Sequence, residues 1–597
     1  MCGINLVLNY EGGDAAVQKM MAATAHRGPD HSAWCKVEEG IYIAGNRLKT
    51  QDLGAQGDQP VFSPDGMASL VWNGALYNYE ALRNHLLEQG ILFNSRADAE
   101  VLIHWLLLYG EEGIKRLEGM FALVFVDKRE SKTIIARDPH GKKPLYFSRQ
   151  NSQWLFSSEA RGVIASGLVE KKFNRIQYLP YFYSRHAFPD ASFFEGLRQV
   201  QPGEIMTIDF SGHLISSSSM EAEHVPMELP SLPQFQEMVV DAAIKNFQAD
   251  VPVGLILSGG VDSTLLLHSW YQETGQPLHT FTAVFESSYR SKYNDPDFAA
   301  EVAKRYRCAH HEVLVTPELV LRHWDDYIAS LDQPVGDSAS FLTWMIAREA
   351  RQYVKILISG AGADELFSGY DRHKAFRWYL QHQDKISRLA HAALIRGLLP
   401  RRVRKFLEAV AASPEETYLN FSSLQAIPPQ LRQQFLSYFP LGEAPYKAAL
   451  AWDRTYYLVN DVLKIHDNAT MVHGVEGRAP YLDQALVALS HNMTEEQHLS
   501  LKGKYWMKEM LREAGWEKIA SRKKLGFGLP LQEWLQEDSE FSKRVFSTVK
   551  KLGALADKEM PDEMRRLALH PEEQKKTAFL QIWNLFILAS WKQEQGL

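Results

Sequence analysis

Cysteine is scarce: three residues in 597, Cys2, Cys35 and Cys308. That is too few for a disulfide framework and too scattered for a zinc site, so a cysteine that matters here should matter for its position. No apolar run reaches the roughly 18 residues that a membrane-crossing helix needs, and the opening MCGINLVLNYEGGD has neither the basic start nor the apolar stretch of a signal peptide. Long basic blocks are missing too, and a formal net charge of -7 over this length leaves no electrostatic footprint for nucleic acid. A cytoplasmic protein without nucleic-acid or membrane partners is expected. With 45% hydrophobic residues the chain has material for a sizeable core, and its length exceeds what one core spans, which predicts at least two domains.

The first third alternates short β-branched runs (GIYIAG, MASLVWNG, FALVFVD, KTIIARD) with helical patterns in NYEALRNHLLEQG and DAEVLIHWLLLYG, as an α/β layered unit does. Around residues 211–235, SGHLISSSSMEAEHVPMELPSLP mixes serine, proline and acidic residues without apolar periodicity, which is linker chemistry. The boundary falls there, dividing residues 2–215 from 235–597. Beyond it VPVGLILSGG, LHTFTAVFE, HHEVLVT and YVKILISG predict strands of a parallel sheet with crossover helices, followed by a mainly helical C-terminal part.

Removal of Met1 before a small residue would leave Cys2 with a free α-amine. Such an amine, with an ordinary pKa of about 7.7–8.0, accepts a thiol proton near neutral pH, so nucleophile and base come together. MCGI, HRGPD (His26–Asp30), NRL (Asn46–Leu48), WNG (Trp72–Gly74) and ARDPHGKKPLYF (Ala136–Phe147) follow in one order and together resemble the class II glutamine amidotransferase domain. The resemblance implies an Ntn-hydrolase-type αββα sandwich over 2–215 that hydrolyses glutamine at Cys2. It gives Asn73 and Gly74 the oxyanion hole, and Arg47 and Asp98 the α-carboxylate and α-amine of glutamine. The family continues Asn-Gly-Glu; Ala75 stands in the third place here, so one polar contact to glutamine is missing.

The second strong signal is Ser258-Gly259-Gly260-Val261-Asp262-Ser263, between the apolar run VPVGLIL and the helical STLLLHSWY. Glycines let the backbone approach a phosphate, N–H groups at a helix start attract it, and Ser258 and Ser263 add hydroxyl donors. No GK[ST] follows, so this is not a Walker loop. A second strand-loop-helix, ILISGAGADELFSGY, would bring Ser359 and Gly360 to the same sheet edge, with Asp262 facing Asp364. Two carboxylates beside a pyrophosphate suit Mg²⁺; helix N-capping is the alternative for either aspartate.

SGGVDS resembles the pyrophosphate loop of ATP pyrophosphatases. With DQPVGDS (Asp332–Ser338), HDNATM (His466–Met471), VEGRAPYLD (Val475–Asp483) and RKKLGFGLP (Arg522–Pro530), residues 235–597 resemble the asparagine synthetase domain. The resemblance implies an adenine nucleotide α-hydrolase-like parallel-sheet domain with a helical C-terminal part. ATP is then held by Leu257, Ser258, Gly259, Gly260, Asp262, Ser263, Ala283, Ser359 and Gly360, Mg²⁺ by Asp262 and Asp364, and the charge developing near the acyl-adenylate is met by Lys524. The expected activity is a carbon-nitrogen ligase with glutamine as nitrogen donor. Its expected partners are glutamine, ATP and a small-molecule carboxylic acid, aspartate by default, in a chain that could pair as a homodimer. Ala361 departs from the Ser-Gly-Glu-Gly of asparagine synthetases and from the tyrosine of β-lactam-closing relatives. A methyl group cannot accept a proton from attacking ammonia, which keeps open a specialised amidotransferase for another carboxylate, of secondary metabolism or glycan modification. A third reading, a degenerate binding or regulatory subunit, is opposed by the retention of Cys2, Asp98, Asp262, Asp364 and Lys524.

Overall fold

Strands in the first third carry apolar side chains on both faces, and both faces are used. The computed structural model describes residues 2–597 except 221–227, 290, 291, 293, 294, 387–399, 524, 525 and 556–558, together with the side chains of 288, 401 and 402. The strands of the first part are β1 (Cys2–Leu8), β2 (His31–Glu38), β3 (Ile41–Arg47), β4 (Val61–Phe62), β5 (Ala68–Leu76), β6 (Gly119–Asp127), β7 (Lys132–Arg137), β8 (Tyr146–Gln150), β9 (Gln153–Ser157), β10 (Leu197–Gln199), β11 (Glu204–Asp209) and β12 (Leu214–Ser219). They form two antiparallel sheets, in the orders β10-β8-β9-β1-β3-β2 and β12-β11-β7-β6-β5-β4.

Ile4, Leu6 and Leu8 of β1 and Ile41 and Ile43 of β3 meet Val124, Val126 and Ile135 of the other sheet, which is the inner layer of a sandwich. Outside, Val7, Tyr42 and Ala44 pack on helices Asp14–Ala23 and Ala160–Ala165. On the opposite side Leu70, Trp72, Leu123 and Phe125 pack on helices Tyr79–Glu88 and Asp98–Ile114. This is the expected αββα layering. One expectation is corrected: Leu214–Ser219, inside the stretch with linker composition, is an edge strand paired with β11. Its serines suit that place because an edge strand has one neighbour and these side chains stay largely exposed.

The second part holds a parallel sheet of β13 (Val253–Ile256), β14 (His279–Val284), β15 (Ala309–Leu314), β16 (Ile356–Ile358) and β17 (Glu476–Arg478), in the order β15-β14-β13-β16-β17. The order reverses between β13 and β16, and such a switch point opens a crevice at the carboxyl ends of the strands. β17 escapes sequence reading because three residues, one of them glycine, carry no periodic signal. No helix among the described residues is long and apolar enough to cross a membrane.

Buried polar contacts join the two parts. Arg27 is inaccessible to solvent and binds Glu159 and Asp467 at 2.8 Å each. Lys143 donates to the Gly477 carbonyl (3.1 Å) and Lys142 to that of Leu482 (2.7 Å). Asp332 accepts the Ala160 and Arg161 N–H groups at 3.0 and 2.7 Å. The C-terminal helix Phe579–Gln595 docks on the first part through Asn584 Nδ2 and the Tyr181 carbonyl (2.7 Å). HRGPD, HDNATM, DQPVGDS and VEGRAPYLD thus all contribute docking contacts.

Burial alone would raise the Glu159 carboxyl; His26, Arg161 and Arg27 outweigh it and hold it well below the usual range. Its contribution is therefore present above the unfolded carboxylate pKa of about 4.3 and is lost as pH falls. Arg27→Met leaves two buried carboxylates short of their partner, and we expect a loss of about 3–5 kcal/mol in denaturant unfolding at pH 7. The gap from wild type should narrow below about pH 4. A variant with the wild-type midpoint at pH 7 would refute the assignment.

Candidate active site

Antiparallel register places Cys2 of β1 directly opposite Arg47 of β3. Asn73, fully buried on β5, approaches from the facing sheet, and its Oδ1 accepts from the Cys2 main-chain nitrogen at 2.9 Å. That nitrogen becomes the α-amine if Met1, which lies outside the described residues, is removed. Among the described residues Asn73 Nδ2 has no hydrogen-bond partner, which leaves a preorganised donor for an oxyanion. Gly74 follows; a Cβ there would lie 2.2 Å from the Met120 carbonyl oxygen, so the strand passes β6 too closely for any side chain.

Burial pushes the Cys2 thiol up, against the Leu48 backbone N–H and Arg47. Asp98 opens the Asp98–Ile114 helix; burial and the nearby Glu476 charge push it up to about 7. Arg47 is already engaged: Nη1 donates to the Gly54 carbonyl (2.7 Å) and Asp58 (2.8 Å), and Nη2 to the carbonyls of Gln51 (3.2 Å) and Asp52 (2.5 Å). Here it holds the 51–58 loop, so only its Nε remains for a carboxylate without rearrangement. Two neighbours were not foreseen. Gln59 Nε2 lies 3.2 Å from Cys2 Sγ, and Glu476, from the other part of the chain, accepts from Thr50 Oγ1 at 3.0 Å just past Arg47.

At the switch point Ser258–Gly260 joins β13 to the helix Val261–Thr274, and Ser359–Gly360 follows β16. Gly259 has φ +67°, and a Cβ on it would meet the Asp295 carbonyl oxygen at 2.5 Å. Ser258 and Ser263 hydroxyls are 3.1 Å apart, and Ser359 Oγ is buried without a hydrogen-bond partner among the described residues, open to a phosphate oxygen. Beside them a cleft is lined by Leu257, Ala283, Phe285, Leu342, Gly526 and Phe527, apolar walls suited to a purine ring. Leu257 and Ala283, assigned by resemblance to the adenine, both line this cleft. Lys524, two residues before this wall, lies outside the described residues.

Asp262 and Asp364 do face each other, across a lysine. Lys504 Nζ is 2.6 and 2.7 Å from the two Asp262 oxygens and 2.6 Å from Asp364 Oδ1. Burial would lower this ammonium, but the two carboxylates outweigh it and hold it well above the usual lysine range. Gly369 makes the approach possible, since a Cβ there would lie 1.9 Å from Asp364 Oδ1 and 2.3 Å from Lys504 Cε. Three carboxylate oxygens converging on one cationic atom form a donor set that a hard cation would also satisfy.

Ala361 packs at the edge of the parallel-sheet core. Four residues on, Glu365 is buried against the Tyr370 hydroxyl and pushed up to about 7, by burial first and then by Asp364. The segment Asp453–Leu463 lies against this turn, with Asp461 pushed up to about 7 by burial, and Arg185 bridging Asp461 (3.4 Å) and Asp337 (2.6 Å).

The glutamine amidotransferase domain model matches residues 1–217, and the asparagine synthase model residues 234–593. Among curated proteins, asparagine synthetase (glutamine-hydrolyzing) 1 of Bacillus subtilis is 27% identical over 572 residues, covering 90% of this chain and 88% of its own. Asparagine synthetase (glutamine-hydrolyzing) 3 of the same organism is 24% identical, with 84% and 82% covered. Amidase chry2 of Gibberella zeae is 25% identical, with 86% of each chain covered. Both sites lie within these matches, and the chain belongs to the asparagine synthase family of glutamine-dependent amide ligases.

Proposed function

We propose that residues 2–215 form a glutaminase domain and 235–597 a synthetase domain, and that the chain carries glutamine nitrogen to a carboxylate activated by ATP. The observation that carries the first half is the Cys2–Asn73 pair: a sulfur beside the nitrogen that would act as its base, with an unpartnered amide donor next to both. The thiolate attacks the glutamine amide carbon, ammonia leaves, and water releases glutamate from the thioester. Two small cavities at the junction, each with room for about one water-sized molecule, share Lys142, Leu463 and Asp467 and support passage of ammonia inside the protein.

In the second half, Ser258, Gly259, Gly260, Ser263, Ser359 and Gly360 bind the phosphates, and Leu257 and Ala283 the adenine. The carboxylate displaces pyrophosphate from the α-phosphorus, giving an acyl-adenylate and then, with ammonia, the amide and AMP. Asp262 and Asp364 would hold Mg²⁺ once Lys504 withdrew, and the ion would offset phosphate charge. Lys524 is assigned to the charge on the acyl-adenylate and pyrophosphate.

Aspartate is the default acceptor. Ala361 favours a second reading, another small-molecule or peptide carboxylate, because the phosphate machinery is intact while the acceptor side has lost its ionisable group. Pyrophosphate release measured across a panel of carboxylic acids decides between them.

Three outcomes are expected. Cys2→Ala abolishes glutamine hydrolysis but keeps amide synthesis from ammonium salts; equal loss with both nitrogen donors would count against separate chemistries. Asp262→Asn and Asp364→Asn each lose pyrophosphate release while thermal unfolding stays near wild type, and a variant releasing it at the wild-type rate and Mg²⁺ dependence shows a structural residue. Ala361→Glu raises ammonia-dependent asparagine formation, since general-base help is worth about 10²–10⁴-fold. If wild type is already fast and the variant no faster, another group takes the proton. If aspartate supports no pyrophosphate release and another acid does, the second reading holds.

A further inference from the structure

Gln59 touches the nucleophile. Its side chain is 2% exposed and locked on one peptide group: Oε1 accepts the Trp72 backbone N–H at 2.7 Å, and Nε2 donates to the Trp72 carbonyl at 2.8 Å. This double contact decides which way the amide faces. A flipped amide would set an N–H against the Trp72 N–H and a carbonyl against the Trp72 carbonyl. The second hydrogen of Nε2 is therefore what faces Cys2 Sγ at 3.2 Å, and a carboxamide nitrogen can only donate. A donor to sulfur favours the thiolate over the thiol. The Leu48 backbone N–H acts on the same sulfur, so two neutral donors oppose the cost of burying its charge.

Trp72 immediately precedes Asn73, so one side chain ties the sulfur to the strand that carries the oxyanion donor. Room for it is made at Gly45, where a Cβ would lie 2.8 Å from Gln59 Cβ.

We propose that Gln59 is a positioning residue of glutamine hydrolysis, whose pinned amide N–H orients the Cys2 sulfur and stabilises the thiolate that forms when the thiol gives up its proton. Gln59 keeps both its hydrogens throughout. The thiol proton goes to the α-amine, the sulfur lone pair forms the bond to the glutamine amide carbon, and the C–N bond breaks as that proton passes to the leaving ammonia. The inference rests on the reading of Cys2 as nucleophile.

The test uses the full chain with Gln59→Leu, which cannot donate, and Gln59→Glu, which keeps an acceptor for the Trp72 N–H but turns an anion toward the sulfur. Alkylation of Cys2 by iodoacetamide, quantified on its own peptide, is followed against pH, alongside glutamine hydrolysis and ammonia-dependent synthesis. Both variants should move the alkylation midpoint up by about one pH unit or more, slowing alkylation about tenfold at pH 7. Hydrolysis should fall in parallel, with kcat more affected than KM and the pH profile displaced alkaline, while ammonia-dependent synthesis persists. A Gln59→Glu protein with the wild-type alkylation midpoint and pH profile overturns the proposal. Cys2→Ala separates the two ideas. If it still hydrolyses glutamine, the nucleophile reading falls, while alkylation still judges Gln59. If it is inert and the Gln59 variants match wild type, only the Gln59 proposal falls.

Discussion

One guanidinium, out of reach of water, lies between the sandwich and the parallel-sheet part. Arg27 answers Glu159 on its own side of the junction and Asp467 on the other, and separating the two parts would take Asp467 away from both Arg27 and Lys143. Buried ion pairs add little net stability over an apolar contact, but they tolerate almost no misalignment. Their value here is geometric. Asp467 sits on the helix Lys464–Met471, which leads into β17, and β17 pairs with β16, whose end carries Ser359 and Gly360. The sandwich and the nucleotide loops are connected through a short, rigid series of elements rather than through the long covalent route.

Much of this was legible from local pattern. Cys2 opens β1, WNG lies within β5 and SGGVDS follows β13, so these motifs and the secondary structure are written in the same few residues. What could not be read was assembled over distance. Lys504 meets Asp262 across 242 positions, and Gln59 meets Cys2 across 57, with no spacing rule to link either pair. β12 was hidden by serine-rich composition, which an edge strand tolerates, and β17 by its shortness. Arg47 was readable as a residue of the glutamine site, yet its grip on the 51–58 loop needed coordinates.

The recognisable motifs divide into two kinds. HRGPD, HDNATM and DQPVGDS mostly hold one part of the chain against the other, whereas WNG lies beside Cys2 and SGGVDS opens the helix that follows β13. The departures, Ala75 and Ala361, belong to the second kind and disturb none of the buried pairs. The charges sealed at the junction and the departures at Ala75 and Ala361 are therefore separate features of this protein. The acids beyond Ala361, Glu365 and Asp461, both pushed into the neutral range, leave that region with protonation states other than those of an exposed carboxylate.

The junction also bears on what the covalent link contributes. With Arg27, Lys142, Lys143 and Asp332 engaged across it, and the C-terminal helix anchored on the sandwich through Asn584, the two parts are held by many contacts besides the covalent link. Two separately expressed halves should therefore find each other as subunits do.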